Sequence, residues 1–417
     1  MRLLRNRGFI LLWTGQFLGT LTDWALRTVL LLWVYGLTRS GAAVGLVGLA
    51  EALPLLLLAP VAGVLVDRWS RAATMAWALV ARAMTLGPLL LVRDRAGLPV
   101  ILLVTLLANA ASQFFTTAAE AAVPTVVAAD QVGTANGVLS LIQGIVVAGG
   151  PGAAALLFAQ LGLHDTILIL GGLYLLAAPP LALVPAPRPV GATSYRPAFI
   201  TAMADGVRYV GRSPLLVATL VVAFVGMLGF GALSVLDVVF VTRALRLPST
   251  DAGALLSASG VGEALGGIGV VVASRWVAGR YHRLLGAAIV ANGVGLAAYA
   301  WAPTLPAAAI VLGLTGTTFP PLLVSFTTIL QRESDTAVLG RVLSLANTVT
   351  GAALILSTAT GGVLADLVGV RQVIGGGAAL LIGAGLLSLR VIRPAAMHDR
   401  GADHERRAAA SHGKLNE

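Results

Sequence analysis

Apolar stretches of about twenty residues recur along this chain, divided by short segments where glycine, proline and arginine collect. A helix rises about 1.5 Å per residue, so about 20 such residues cross a hydrocarbon core of about 30 Å. The stretches fall near 9–36, 43–65, 72–92, 98–123, 132–160, 164–184, 214–242, 251–275, 284–302, 305–330, 341–368 and 372–394. With 57% hydrophobic residues, 11% charged and a mean hydropathy of +0.90, too little polar surface remains to cover a soluble globule. The sequence therefore predicts an all-α membrane protein of twelve transmembrane helices.

Charge orients those spans. With both termini inside, cytoplasmic segments hold 20 of the 28 Lys and Arg residues and external loops hold 6, while Arg27 and Arg82 lie within spans. That asymmetry follows the positive-inside rule. The net charge of +10 is spread between apolar runs rather than gathered on one face, which argues against a nucleic-acid partner and for contact with anionic membrane lipid. Without cysteine, disulfides and thiolate metal sites are excluded, and no metal or cofactor is expected. His164, His282, His398, His404 and His412 fall in expected loops or the tail, so a proton carrier inside the membrane should be a carboxylate. The start, MRLLRNRGFILLW, resembles a signal peptide, but Asp23 and Arg27 follow without a small-residue cleavage site. It reads as a retained first span.

The segment 185–213 carries four arginines and divides the spans six and six. The expected organisation is a bundle at 1–184, a cytoplasmic linker at 185–213, a bundle at 214–394 and a cytoplasmic tail at 395–417. Self-comparison supports a duplication: GLAEAL at 48–53 returns as GVGEAL at 260–265, an offset of 212, and the same offset carries Arg68 onto Arg280 and Arg71 onto Arg283. Two pseudo-symmetric halves are a common way to build a central site that opens to either side in turn.

The loop after the second span reads Gly63-Val-Leu-Val-Asp67-Arg68-Trp-Ser-Arg71. It resembles the signature loop of the major facilitator superfamily, Gly-x-x-x-Asp-Arg-x-x-Arg. The resemblance implies that Asp67 belongs to a latch stabilising the outward-open state, with Arg341 as partner. Within the superfamily the chain resembles the bacterial drug and siderophore exporter branch that includes macrolide efflux proteins and enterobactin exporters. The likeness runs through FILLWTGQFLGTLTDWALRTVLLLWVYGLTRSGAAVGL, PLLLLAPVAGVLVDR, AAVPTVVAADQVGTANGVLSLIQ, DGVRYVGRSPLL and LGRVLSLANTV. In the fifth span Gly144, Gly149, Gly150 and Pro151 resemble the superfamily's antiporter motif, although Ala154 and Ala155 stand where paired glycines are expected. A proline also frees a carbonyl and bends a helix without any such role.

Ionisable groups at bilayer depth cost roughly 2.5–3.5 kcal/mol each, so each needs a reason. Gln16, Thr20, Asp23 and Arg27 step by four, three and four, sharing one helical face on which Asp23 and Arg27 can pair. Asn109, Gln113, Thr116 and Glu120 step likewise along the fourth span, Glu120 close enough to its end to reach the interface. In the resembled family the first and fourth spans line the cavity, and an acid at the place of Asp23 serves protons or cationic substrates. Arg82 sits mid-span and calls for an internal counter-charge, Asp23 or Glu51. Glu51 and Glu263 are related by the repeat; an acid moving between apolar surroundings and water can load and release a proton. Asp237 and Asp366 lie near external span ends, where loop solvation accounts for them.

These observations lead to an expectation of a non-enzymatic transporter, a monomer in the bacterial cytoplasmic (inner) membrane with both termini cytoplasmic. It would exchange protons for hydrophobic or amphipathic small molecules moving outward. Export of a specific metabolite such as a siderophore, lysolipid transport, and a non-transporting receptor on the same fold are the alternatives.

Overall fold

The computed structural model describes residues 6–66, 68–128, 131–185, 199–277, 280–335 and 338–391. These residues form helices α1 (Arg7–Thr38), α2 (Gly41–Val66), α3 (Arg71–Thr85), α4 (Leu98–Val126), α5 (Val132–Ala182), α6 (Phe199–Gly211), α7 (Pro214–Gly231), α8 (Leu233–Val239), α9 (Ala252–Val277), α10 (Tyr281–Ala300), α11 (Leu305–Gly316), α12 (Phe319–Glu333), α13 (Leu339–Leu367) and α14 (Val370–Val391). No strand occurs among them. Helix starts follow local chemistry. Asn6 Oδ1 accepts from Phe9 N (3.1 Å), and Ser70, Ser213 and Thr304 cap α3, α7 and α11 in the same way.

Eleven stretches among the described residues are long and apolar enough to cross a membrane. One of them, in α5, is long enough for two crossings. At 51 residues, α5 would measure about 77 Å as one rod, but Gly162 breaks it with φ 74° and ψ −175°. The two limbs, 132–161 and 163–182, run in opposite directions: Gly150 lies against Leu21 and Trp24, whereas Leu181 returns to Gly15 near the start of α1. Counting both limbs, and taking α7 with α8 and α11 with α12 as single spans, gives the twelve expected crossings.

Packing repeats between the halves. α1 lies on α5 as α7 lies on α14; α2 on α4 as α9 on α11; α3 on α5 as α10 on α14. The halves meet through two related contacts, α2 with α13 and α5 with α9. We call the end of the bundle bearing the start of α1 and the end of α14 the near end and the opposite one the far end.

The linker differs from its expectation. Residues 199–211 form α6, whose Val210 joins a core of Leu216, Leu220, Leu330 and Val342. Asp205 meets Arg341 at 3.3 Å, and Tyr209 OH accepts from Asp335 N at 3.0 Å. An amphipathic helix can bury its apolar side only by docking, and α13 and α7 supply the surface. His164 and His282 likewise lie in helical turns of α5 and α10 rather than in loops.

Gly162 occupies a backbone region open essentially to glycine alone, and residues forced into it lose about 1–3 kcal/mol. An added Cβ would meet nothing within 4 Å there, nor at helical Gly172. Gly162→Ala is therefore expected to lower the melting temperature in detergent by several degrees, while Gly172→Ala leaves it unchanged or raises it. Equal melting of the two variants would refute a conformational origin.

Candidate functional site

Charges that must leave water find partners between helices of the first half. Arg82 on α3 is 3% exposed, and its Nη2 donates to Asp23 Oδ1 on α1. The same oxygen accepts from Tyr174 OH, on the second limb of α5, at 2.7 Å. The guanidinium also lies 4.8 Å from the Tyr174 ring centroid, a cation–π arrangement. Its Nε and Nη1 are buried without a hydrogen-bond partner among the described residues. One turn along α1, Arg27 Nε donates to Glu51 Oε2 on α2 at 3.1 Å and sits 5.3 Å from the Trp24 ring. Together with Thr105, Asn109 and Ser112 of α4, these groups line a cavity of about 120 Å³.

Sequence spacing suggested that Asp23 pairs with Arg27. The structure corrects this: each takes its ion partner from a neighbouring helix, Arg82 and Glu51 respectively. Side chains four apart share a face, but the bundle places opposite charges directly across that face. Arg82 finds Asp23, one of its two expected counter-charges.

Where the halves meet, helices touch at the backbone in the far half of the bundle. A Cβ on Gly41 would stand 2.8 Å from the Gly362 carbonyl oxygen, and one on Gly45 would stand 2.7 Å from that of Thr358. On the other side Gly152 N donates to Ser257 Oγ at 3.0 Å, and Gly260 presses on the backbone of Val147. Val147 is four residues before Pro151, so its carbonyl lacks the helical donor that proline cannot supply; α9 covers it. Toward the near end this contact opens. Among the described residues, Gly144 has Ala264 within reach at 3.8 Å, while Gly137, Gly340 and Gly351 have no atom within 4 Å of an added Cβ. A cleft of about 770 Å³ lies between α2, α7 and α13, lined by Leu55, Leu56, Met227, Leu343 and Leu354 with Ser344, Asn347 and Thr350. Among the described residues the halves are in contact at the far end and parted at the near end.

An ion pair of the second half clasps the α1–α2 turn at that seal. Asp366 on α13 accepts from Ser40 Oγ, Gly41 N and Ala42 N, each at 2.9 Å. Arg243 donates to the Arg39 carbonyl at 2.6 Å and to Tyr35 OH at 3.2 Å, and meets Asp366 at 2.7 Å. The anion thus sits on the amide end of α2 and the cation on the carbonyl end of α1, each matching the helix dipole it faces. Loop solvation does not describe Asp366. Nor does it describe Asp237, which is 4% exposed and accepts from Tyr299 OH at 2.7 Å.

Other expected residues take varied places. Glu263 is half-buried on α9 and Gln16 half-buried on α1, whereas Glu120 and Thr116 are exposed on α4. Gln113 is half-buried, and Asn109 Nδ2 donates to the Thr105 carbonyl at 2.9 Å. Gly150 and Pro151 are buried in α5 and Gly149 is exposed. Gly63 lies in the last turn of α2, Arg68 is exposed and Arg71 opens α3, while Asp67 lies outside the described residues. The described partner of Arg341 is Asp205. Tyr174, Tyr299 and Arg243 were missed in the sequence. A tyrosine deep in an apolar span carries a hydroxyl that needs a partner, and that signal would have found the first two.

A model of the family described as Major Facilitator Superfamily matches residues 12–358. The uncharacterized MFS-type transporter YfiS of Bacillus subtilis (strain 168) is 26% identical over 397 residues, covering 93% of this chain and 94% of that protein. The multidrug efflux pump Tap of Mycolicibacterium fortuitum is 27% identical over 351 residues, covering 80% of this chain and 84% of that protein. The crystal structure of the nucleoside transporter NupG shares the fold, with a TM-score of 0.75 and 13% identity over 93% of this chain and all of that one.

Removing one member of a buried ion pair costs about 3–5 kcal/mol, because its partner stays buried and unpaired. Asp23→Asn should therefore melt well below wild type, and adding Arg82→Gln should recover part of the loss; strictly additive losses would show that the two do not interact. Asp366→Asn should loosen the clasp. With Val235→Cys, buried beneath Gly48, as the single thiol of the chain, labelling by a membrane-impermeant maleimide is expected to quicken several-fold. Unchanged labelling would remove the clasp from the seal.

Proposed function

The chain belongs to the Major Facilitator Superfamily, and on that footing we propose that it exports hydrophobic or amphipathic small molecules by proton-coupled antiport. The two rocking bodies are residues 1–184 and 214–394, joined by the 185–213 segment and followed by a cytoplasmic tail at 395–417. The near end, which carries most of the Lys and Arg residues, faces the cytoplasm of a bacterial inner membrane, and the unit is a monomer. The chain is a transporter by family, so no bond of the substrate is made or broken.

One observation carries this reading: the halves are sealed at one end and parted at the other around a polar cluster that lies to one side of the passage. That is the geometry alternating access needs. The cleft's leucines and Met227, interrupted by Ser344, Asn347 and Thr350, suit an apolar molecule with a few hydrogen-bonding groups. Asp23, Glu51 and Arg82 serve proton binding, and the open donors of Arg82 offer a hydrogen-bond acceptor on the substrate a place to dock. Asp67 and Arg341 form the near-end latch of the opposite state, Glu263 and Glu120 are further carboxyls on the route, and Pro151 with its glycines marks the bend of α5 where α9 bears on it. Kinship with a protein named as a multidrug efflux pump supports outward movement of drug-like molecules.

Because the cleft between α2, α7 and α13 has a leucine-rich lining, a lysolipid is the second reading. Inverted vesicles with an inward-acid lumen should take up a cationic dye, uptake should stop on adding a protonophore, and Asp23→Asn should abolish the gradient-driven part. Dye uptake indifferent to the protonophore would end the coupling claim. Uptake of labelled lysolipid in place of dye would select the second reading.

A further inference from the structure

Charge counting across the seal leaves one carboxyl over. Among the described residues, the three acids of α1, α2 and α8, Asp23, Glu51 and Asp237, face two cations, Arg82 and Arg27; Asp237 and Arg82 are buried and the others half-buried. Arg82 holds Asp23 and Arg27 holds Glu51. Asp237 has no described cation within ion-pair distance, and its one described side-chain hydrogen bond comes from Tyr299, itself fully buried. The arrangement echoes the first half, where Tyr174 OH donates to Asp23 over the same 2.7 Å, and the two acids stand 214 residues apart, close to the repeat offset. The difference is that no counterpart of Arg82 accompanies Asp237.

Position gives this imbalance a function. α8 packs on α1 and α2 of the other half, Val235 lies beneath Gly48, and Asp237 is six residues before Arg243 of the clasp. Parting the halves at the far end would uncover it. Arg27 of α1 is bonded to Glu51 of α2. Other charged groups on elements against α8 are engaged elsewhere: Asp366 and Arg243 with each other, and Arg371 of α14 with the Ala300 carbonyl and the Phe240 ring. Tyr35 of α1 accepts from Arg243; Glu263 of α9 and Asp251 beside it are partly exposed.

We propose that Asp237 is a second proton-binding site, loaded from far-side water when the halves part and still protonated as they seal, so that later loss of the proton toward the near side favours reopening. A sealed interface with Asp237 ionised would bury an uncompensated negative charge, which is several kcal/mol unfavourable; with Asp237 protonated the cluster is balanced. Proton binding and far-end closure are thereby linked, each favouring the other. The inference deepens the proton-coupled reading and rests on it for its physiological meaning.

The absence of cysteine permits a direct test. Spin labels at Leu91→Cys and Pro303→Cys, both exposed at the far end, report the separation of the halves in nanodiscs by pulsed dipolar spectroscopy. In wild type the sealed fraction should rise from mildly alkaline to mildly acidic pH. Asp237→Asn should stay sealed throughout and lose the pH dependence, whereas Asp366→Asn should lower the sealed fraction at every pH yet keep its dependence on pH. Tyr299→Phe retains the carboxyl and should shift the midpoint while preserving the amplitude, which guards against misfolding of the first variant. A wild-type pH response persisting in Asp237→Asn, or absent from wild type, overturns the proposal. Protonophore-insensitive dye uptake would instead fail the proton-coupled reading and leave these distances intact, so the two failures are distinguishable.

Discussion

An ion held away from water must be neutralised by a neighbour, and in a bundle this poor in charge the neighbours are few enough to be followed one by one. Arg82 could not remain where it is without Asp23, and the Asp23 carboxyl in turn fixes the Tyr174 hydroxyl. α1, α3 and the second limb of α5 are thus tied at one point in the interior. Arg27 and Glu51 tie α1 to α2 in the same way. The first half has its charges matched internally, and the remaining acid belongs to the second half. The interface between the halves is consequently the place where electrical balance and conformation meet.

Closure there depends on small residues as much as on charge. Lipid offers little hydrophobic incentive for two helices to associate, so close approach of backbones has to supply the attraction. Gly41 against Gly362, and Gly260 against the carbonyl that Pro151 leaves free, permit that approach only in the far half. The Arg243–Asp366 pair completes the seal by addressing helix ends rather than another side-chain pair. A seal made of backbone contacts and helix-end charges can part without leaving large apolar side chains exposed.

Much of this architecture was legible in one dimension. Hydropathy marked every crossing to within a few residues, because about 20 apolar residues and a glycine or proline punctuation are enough to define a span. The repeat pointed to two halves, which the paired packing of α2 on α4 and α9 on α11 reproduces. Helical stepping brought Asp23 and Arg27 to one face but assigned them to each other, since periodicity carries no information about the helix opposite. Asp366 looked like a solvated loop residue for the same reason: its partners, Ser40 and Arg243, are 326 and 123 positions away. The docking of α6 escaped notice because a thirteen-residue amphipathic segment among arginines reads equally well as linker.

The reversal at Gly162 joins two functions that would otherwise be separate. The first limb of α5 bears on α9 through Gly152 and Val147, and the second carries Tyr174 to Asp23. Most hairpins in such bundles have a loop whose slack absorbs relative movement. Here one residue is the entire connection. Interface and carboxyl are therefore served by the two limbs of one helical hairpin, and a single glycine at the far surface sets the angle between them.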